Sequence, residues 1–215
     1  MEKKSVLRYL IELVIVIVGV TIAFWLNTRA ESIKENQTLK NYYTELLSDL
    51  KQDSVLLANS IKLNERKVNL MVRAMGLYGQ VPVNRDSIFI YSQQVGNYYF
   101  FEPNDITYQS MINSGDFKLI SNLELKRQLV SLYHRYETIE EFQDNHLQAL
   151  DDNYFPHYVQ LVDYITYQPI KPLEKDILIK NYFAYSANDV NGHVNFYRSA
   201  LRKVIKLDSL ISEEL

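Results

Sequence analysis

Residues 9–26 form an apolar run interrupted by one ionisable side chain, Glu12. At about 1.5 Å per residue, a helix of that length covers roughly the hydrocarbon core of a bilayer. Beyond it the pattern turns periodic. Leu39, Tyr43, Leu46, Leu50, Leu57, Ile61, Val68, Met71, Met75 and Tyr78 recur mostly at three- and four-residue steps, with polar interruptions at Asp53 and Asn64. This spacing places one apolar seam along an amphipathic helix. No glycine or proline stands between Gly19 and Gly76, so nothing obliges a membrane helix to stop at the outer surface. A helix from Glu31 to Met75 would reach roughly 65 to 70 Å. It reads as a coiled-coil stalk or as the first helix of a bundle, and its polar seam positions disfavour a strict zipper.

Gly76, Gly79 and Pro82 end that helix. Residues 86–95 predict a short helix capped at Asp86 or Ser87, in competition with a strand because Ile88, Phe89, Ile90 and Tyr91 are β-formers. Asn104 or Asp105 can cap another short helix that Gly115 closes. Ser121 to Glu124 has capping-box spacing, and Leu125, Leu129, Leu132, Tyr136, Ile139 and Leu150 mark a second long helix running to Tyr154, ended or kinked at Pro156. After a loop at Pro169 and Pro172, Leu173 to Phe183 reads as helix. Gly192 separates it from a final helix with Val194, Tyr197, Leu201, Val204, Leu207 and Ile211 facing inward. The expected fold is all-α: an N-terminal transmembrane helix continuing into an extracytoplasmic antiparallel helical bundle. Its parts are a tail (1–8), the membrane helix (9–26), a long amphipathic helix (27–80) and a helical domain (81–215).

Charge sets the direction of insertion. Lys3, Lys4 and Arg8 precede the run, whereas Arg29 and Lys34 after it are offset by Glu31 and Glu35. The positive excess places the N-terminus in the cytoplasm and exports the rest. A cleaved signal peptide is the rival, since Thr28-Arg29-Ala30 fits a cleavage pattern. The length of the run, Glu12 within it and Phe24-Trp25 at its far edge favour a retained anchor. The 215 residues leave room for one modest globular domain beyond the anchor, and 6 glycines with 5 prolines favour long helices. With no cysteine the exported part is held by its core alone, and a net charge of −3 gives no nucleic-acid footprint.

Candidate chemistry is sparse. Glu12, Val16, Gly19 and Ala23 share one stripe of the membrane helix, joining its one carboxylate to a small-residue pair that permits close backbone approach. This is a candidate association face. Glu12 also has two other readings, pairing with Arg8 at the boundary or coupling to protons. Among His134, His146, His157 and His193 no two stand three or four residues apart and no Glu-x-x-His pair occurs, so no metal ligand is assigned. Glu137, Glu140, Glu141, Asp144, Asp151 and Asp152 read as a solvated helix face. Of 17 tyrosines the densest group is Tyr98-Tyr99-Phe100-Phe101, which with Tyr108 is a candidate pocket or partner surface. No nucleophile elbow, phosphate loop or dinucleotide fingerprint occurs, so neither catalytic residues nor a cofactor are assigned.

Two stretches carry a resemblance. Ile11-Glu12 with the following Val/Ile run, Gly19, Ile22-Ala23, Asn27 and Glu31 form the first. Pro103-Asn104-Asp105, Tyr108, Asn113-Ser114-Gly115, Leu119-Ile120, Asn122 and Leu125 form the second. Together they resemble a family of uncharacterised bacterial single-pass membrane proteins, known only as a domain of unknown function. The resemblance implies topology and no activity. The expected function is a non-catalytic scaffold, sensor or complex subunit of the bacterial inner membrane, its main domain periplasmic. Its expected partners are the lipid bilayer and a second copy or another membrane protein. An ion-coupled accessory subunit using Glu12 is the alternative.

Overall fold

The computed structural model describes the backbone of residues 2–215 and side chains from Glu12 onward. Expectations resting on the side chains of Lys3, Lys4 and Arg8, including an Arg8–Glu12 pair, lie outside the described residues. The first helix, α1, runs unbroken over Glu2–Leu77. Its continuity follows from the absence of glycine and proline over residues 20–75. Residues 12–37 are exposed throughout, and burial begins with Leu39, Tyr43 and Leu46. Within the apolar stretch the hydroxyls of Thr21 and Thr28 turn back onto the carbonyls of Ile17 and Phe24 at 2.8 and 3.0 Å, so both are satisfied within the helix. Arg29 lies 5.7 Å from the Trp25 ring at its end.

The seam of α1 receives the rest of the chain. At the far end, Leu77 leads through a turn into α2 (Arg85–Gln93), which is helix as expected but capped by Asn84, whose side chain accepts the Ser87 amide. Neither Asp86 nor Ser87 is the cap. The chain then descends along α1 as a non-helical limb, residues 95–105, a turn at its start and irregular from Asn97, before α3 (Ile106–Ser114). Asp105 stands at the N-cap of α3, and Gly115, with φ of 77°, closes it in the left-handed conformation that glycine adopts without penalty. A 3-10 turn over Asp116–Leu119 follows. Asn122 then caps α4 (Leu123–Ala149) by accepting the amides of Glu124 and Leu125.

Because the descending limb has brought the chain back to the base, α4 rises parallel to α1 rather than antiparallel to it. α4 ends in a π-helical turn at Leu150–Tyr154 rather than running as α-helix to Tyr154, and Pro156 opens the short α5 (Phe155–Tyr158) where its missing N–H costs nothing. A two-residue hairpin pairs β1 (Val162–Asp163) with β2 (Gln168–Pro169). Last, α6 (Ile177–Ser212) returns to the base antiparallel to both long helices, capped by Asp176 on the amides of Leu178 and Ile179. The base is fastened by Lys206 on Glu124 (2.6 Å), Asn122 on Glu214 (2.7 Å) and Lys40 on the Leu215 carbonyl (3.1 Å).

The fold is all-α apart from the hairpin. Its core divides into a lower cluster, where Leu46, Leu50 and Leu57 meet Leu129, Leu132 and Leu207, and an upper one, where Met71 and Ala74 meet Ile88, Leu150 and Phe183. Gly192 does not divide α6. A glycine costs a helix interior only about 1 kcal/mol, less than the burial of Phe183, Val190, Val194 and Tyr197 on both sides of it supplies.

A methyl group added at Gly192 meets no atom within 4 Å. Gly192→Ala is therefore expected to stabilise the protein by about 0.5–1 kcal/mol, read as a raised denaturant midpoint of detergent-solubilised protein. A lowered midpoint would show that α6 needs its glycine.

Candidate functional site

The limb 95–105 carries backbone groups with no helix or sheet to satisfy them, and buried polar side chains on α1 do so in register. Going down α1, Lys67 donates to the Val95 carbonyl (2.8 Å), Asn64 to Tyr99 (2.7 Å) and Ser60 to Phe100 (2.9 Å). Asp53 accepts both the backbone and side-chain N–H of Asn104 (2.8 and 2.9 Å), and Asp49 accepts the Thr107 hydroxyl (2.5 Å). From α4, Gln143 accepts the Phe101 amide (2.8 Å) and donates to its carbonyl (3.2 Å), so both backbone polar groups of this buried residue are met by one side chain. The polar interruptions of the seam, Asp53 and Asn64, are thus its fasteners. Burial pushes the Asp53 carboxyl up from its ordinary value, opposed by the hydrogen bonds from Asn104 and from the Tyr136 hydroxyl (2.8 Å).

Above Gln143 the limb turns Tyr98 inward against a cluster of ionisable side chains. Asp189 and His193, one turn apart on α6, meet His146 of α4. His146 Nδ1 lies 2.5 Å and His193 Nε2 3.3 Å from the same atom, Asp189 Oδ2. Both histidines are buried, whereas the Asp189 side chain is 27% exposed. The Tyr98 ring packs 4.4 Å from the His146 ring and 5.1 Å from that of His193, and its hydroxyl pairs with Tyr197 (2.9 Å), which donates to Gln143 (2.6 Å). Burial holds His146 below the ordinary imidazole value despite Asp189 beside it. For Asp189 burial acts upward, but the hydrogen bonds and charges of both histidines together outweigh it and hold the carboxyl well below the usual range. His146 thus turns Nδ1 to the Asp189 carboxylate, and its Nε2 is buried with no hydrogen-bond partner among the described residues. Lys67, 5.8 Å from the Tyr98 ring, is pushed down to about 8 by burial.

The residues singled out from the sequence do not form one pocket. Tyr98 belongs to the histidine cluster, and Tyr99 faces a separate small cleft beside Lys67 and Asn97. Phe100 and Phe101, with Leu147, line a cleft of about 480 Å³ into which the carboxylates of Glu102, Asp105, Glu140 and Asp144 also face. Glu140 and Asp144, exposed as expected of a solvated face, are thus half of that acidic lining. Tyr108 is elsewhere, stacked on Tyr133 at 3.8 Å and 8°. On α1, Val16, Gly19 and Ala23 lie exposed on one face with Glu12, and a Cβ at Gly19 would meet nothing within 4 Å. The convergence of His146, Asp189 and His193 is what sequence reasoning missed. Its local signal was Asp189 four residues before His193, a helical pair, but His146 joins from 43 residues away.

The chain belongs to a family of unknown function, DUF6090, whose family model matches residues 12–155. No curated protein and no solved structure matches it. The matched span takes in the apolar part of α1, the limb and α4 but stops before α6, so Asp189 and His193 lie outside it.

Lys67 carries a pH dependence whose sign follows from its lowered value. Between about 8 and its ordinary 10.5 the unfolded chain holds a proton that the folded chain lacks, so stability rises with pH through that window and the increment is absent below it. Between pH 7 and 9 the wild type is expected to gain about 1 kcal/mol relative to Lys67→Met, a difference in which the tyrosines common to both chains cancel. Parallel denaturation profiles for the two proteins would show that Lys67 is not desolvated.

Proposed function

We propose that this protein is a non-catalytic, single-pass membrane scaffold, sensor or complex subunit of the bacterial inner membrane, with its N-terminus cytoplasmic and its helical bundle periplasmic. One observation carries the reading. The first helix holds an 18-residue window of mean hydropathy 1.9 with no residue of it buried, and the same helix then becomes the spine of the bundle. Val14, Ile15, Val20 and Phe24 are 56–72% exposed, a surface that water disfavours and lipid accepts. The bare stretch 27–37, about 16 Å of helix, is enough to cross the headgroup zone and hold the bundle clear of it. The direction follows from Lys3, Lys4 and Arg8, and the bacterial setting from the resemblance given above.

Within the membrane, the stripe of Glu12, Val16, Gly19 and Ala23 is the face for a second copy or another membrane helix. Gly19→Ile fits the isolated chain, since nothing lies within 4 Å of the added Cβ, so its effect reads association rather than folding. Crosslinking in native membranes is expected to lose the associated species in Gly19→Ile and keep it in Glu12→Gln. Unchanged association in Gly19→Ile removes the stripe as an interface. Loss of function in Glu12→Gln with association intact would favour the second reading, an ion-coupled accessory subunit. Alkaline phosphatase fused after Leu215 should be active, and the mature chain should retain residues 1–30. An inactive fusion reverses the orientation, and a chain beginning at Glu31 shows a cleaved signal instead.

A further inference from the structure

We propose that His146, Asp189 and His193 bind one divalent transition-metal ion of the zinc class, clamping α4 to α6. The proposal rests on the bundle alone and is independent of how the chain sits in a membrane. Two imidazole nitrogens from different helices converge on a single oxygen, Asp189 Oδ2, at 2.5 and 3.3 Å, and the three donor atoms lie within 4.8 Å of one another. The three side chains are near enough to share one ion, which His146 Nδ1 and Asp189 Oδ2 would admit by separating to the roughly 3 Å spacing of donors around a tetrahedral zinc. Two imidazole nitrogens and one carboxylate oxygen suit zinc and its neighbours. Calcium and magnesium require oxygen-rich sets, and the chain has no thiolate.

The surroundings are those of an ordered site. Tyr98 packs its ring against both imidazoles and is held by the Tyr197 hydroxyl, which Gln143 holds in turn, so the ring planes are fixed before any ion arrives. Asp189, the ligand open to solvent at 27%, gives an entry path and room for water as a further ligand. Four residues after His146 the α-helix gives way to the π-helical turn at Leu150, a local irregularity that recurs at functional sites. The ion would thus fasten α4, α6 and the limb at one point, and occupancy would govern the rigidity of the upper bundle.

The test uses purified full-length protein in detergent, stripped with a chelator and titrated with Zn²⁺ by calorimetry. One ion per chain is expected. Asp189→Asn and His193→Gln should each weaken binding by about a hundredfold, one ligand's share of a three-ligand chelate, while His134→Gln at an exposed position should not change it. X-ray absorption at the zinc edge of the wild type, which does not depend on any variant folding, should show two imidazoles in the first coordination shell. No stoichiometric binding by the folded wild type, binding unchanged in folded Asp189→Asn, or a shell without two imidazoles would each overturn the site.

Discussion

A helix with no glycine or proline from residue 20 to residue 75 has no inexpensive place to bend, and α1 therefore passes from a lipid-compatible surface into the core of the bundle as one rod. Everything else is registered against it. Its seam offers leucines to α4 and α6. At Asp53, Ser60, Asn64 and Lys67 it instead offers hydrogen-bonding groups to a segment that is not helical. An extended limb packed against the core is otherwise costly, because each buried backbone group left unmet forfeits about 1–3 kcal/mol. With the carbonyls of Val95, Tyr99, Phe100 and Phe101 and the amides of Phe101 and Asn104 met by α1 and by Gln143, the limb takes the place of a fourth helix and sets the direction of α4.

This arrangement explains which parts of the structure were legible in the sequence. Apolar periodicity located the three long helices because each buries a seam, and Gly115 announced its role through local backbone chemistry that needs no tertiary partner, whereas the capping-box spacing from Ser121 pointed one residue short of the actual cap, Asn122. Gly192 misled because a glycine's helix penalty is local and small, whereas the packing on either side of it is not. The limb was invisible as such. Asp53 and Asn64 registered only as faults in a hydrophobic pattern, since their partners on residues 99–104 lie at least 35 positions away. Asn84 was passed over as a cap in favour of Asp86 and Ser87, which lie inside the first turn it closes.

The candidate site divides the same way. The aromatic run 98–101 was conspicuous by composition, but in an extended limb successive side chains turn to different sides, so four adjacent rings serve three environments. Tyr98 meets the histidines, Tyr99 a small cleft beside Lys67, and Phe100 and Phe101 the acidic cleft. The cluster of His146, Asp189 and His193 depends on the pairing of α4 with α6, which periodicity predicts in kind but not in register. The bundle thus carries both a packed polar cluster and an open acidic cleft, at different points along the limb.

The continuity of α1 is the claim on which this account turns. The chain has no cysteine, so cysteines introduced at the exposed positions Lys34 and Arg73 can be spin-labelled without background and their separation measured by pulsed electron double resonance in lipid nanodiscs. One unbroken helix predicts a single narrow distribution centred at about 58 Å, the rise of the intervening 39 residues. A broad distribution, or a mean well short of that length, would contradict it.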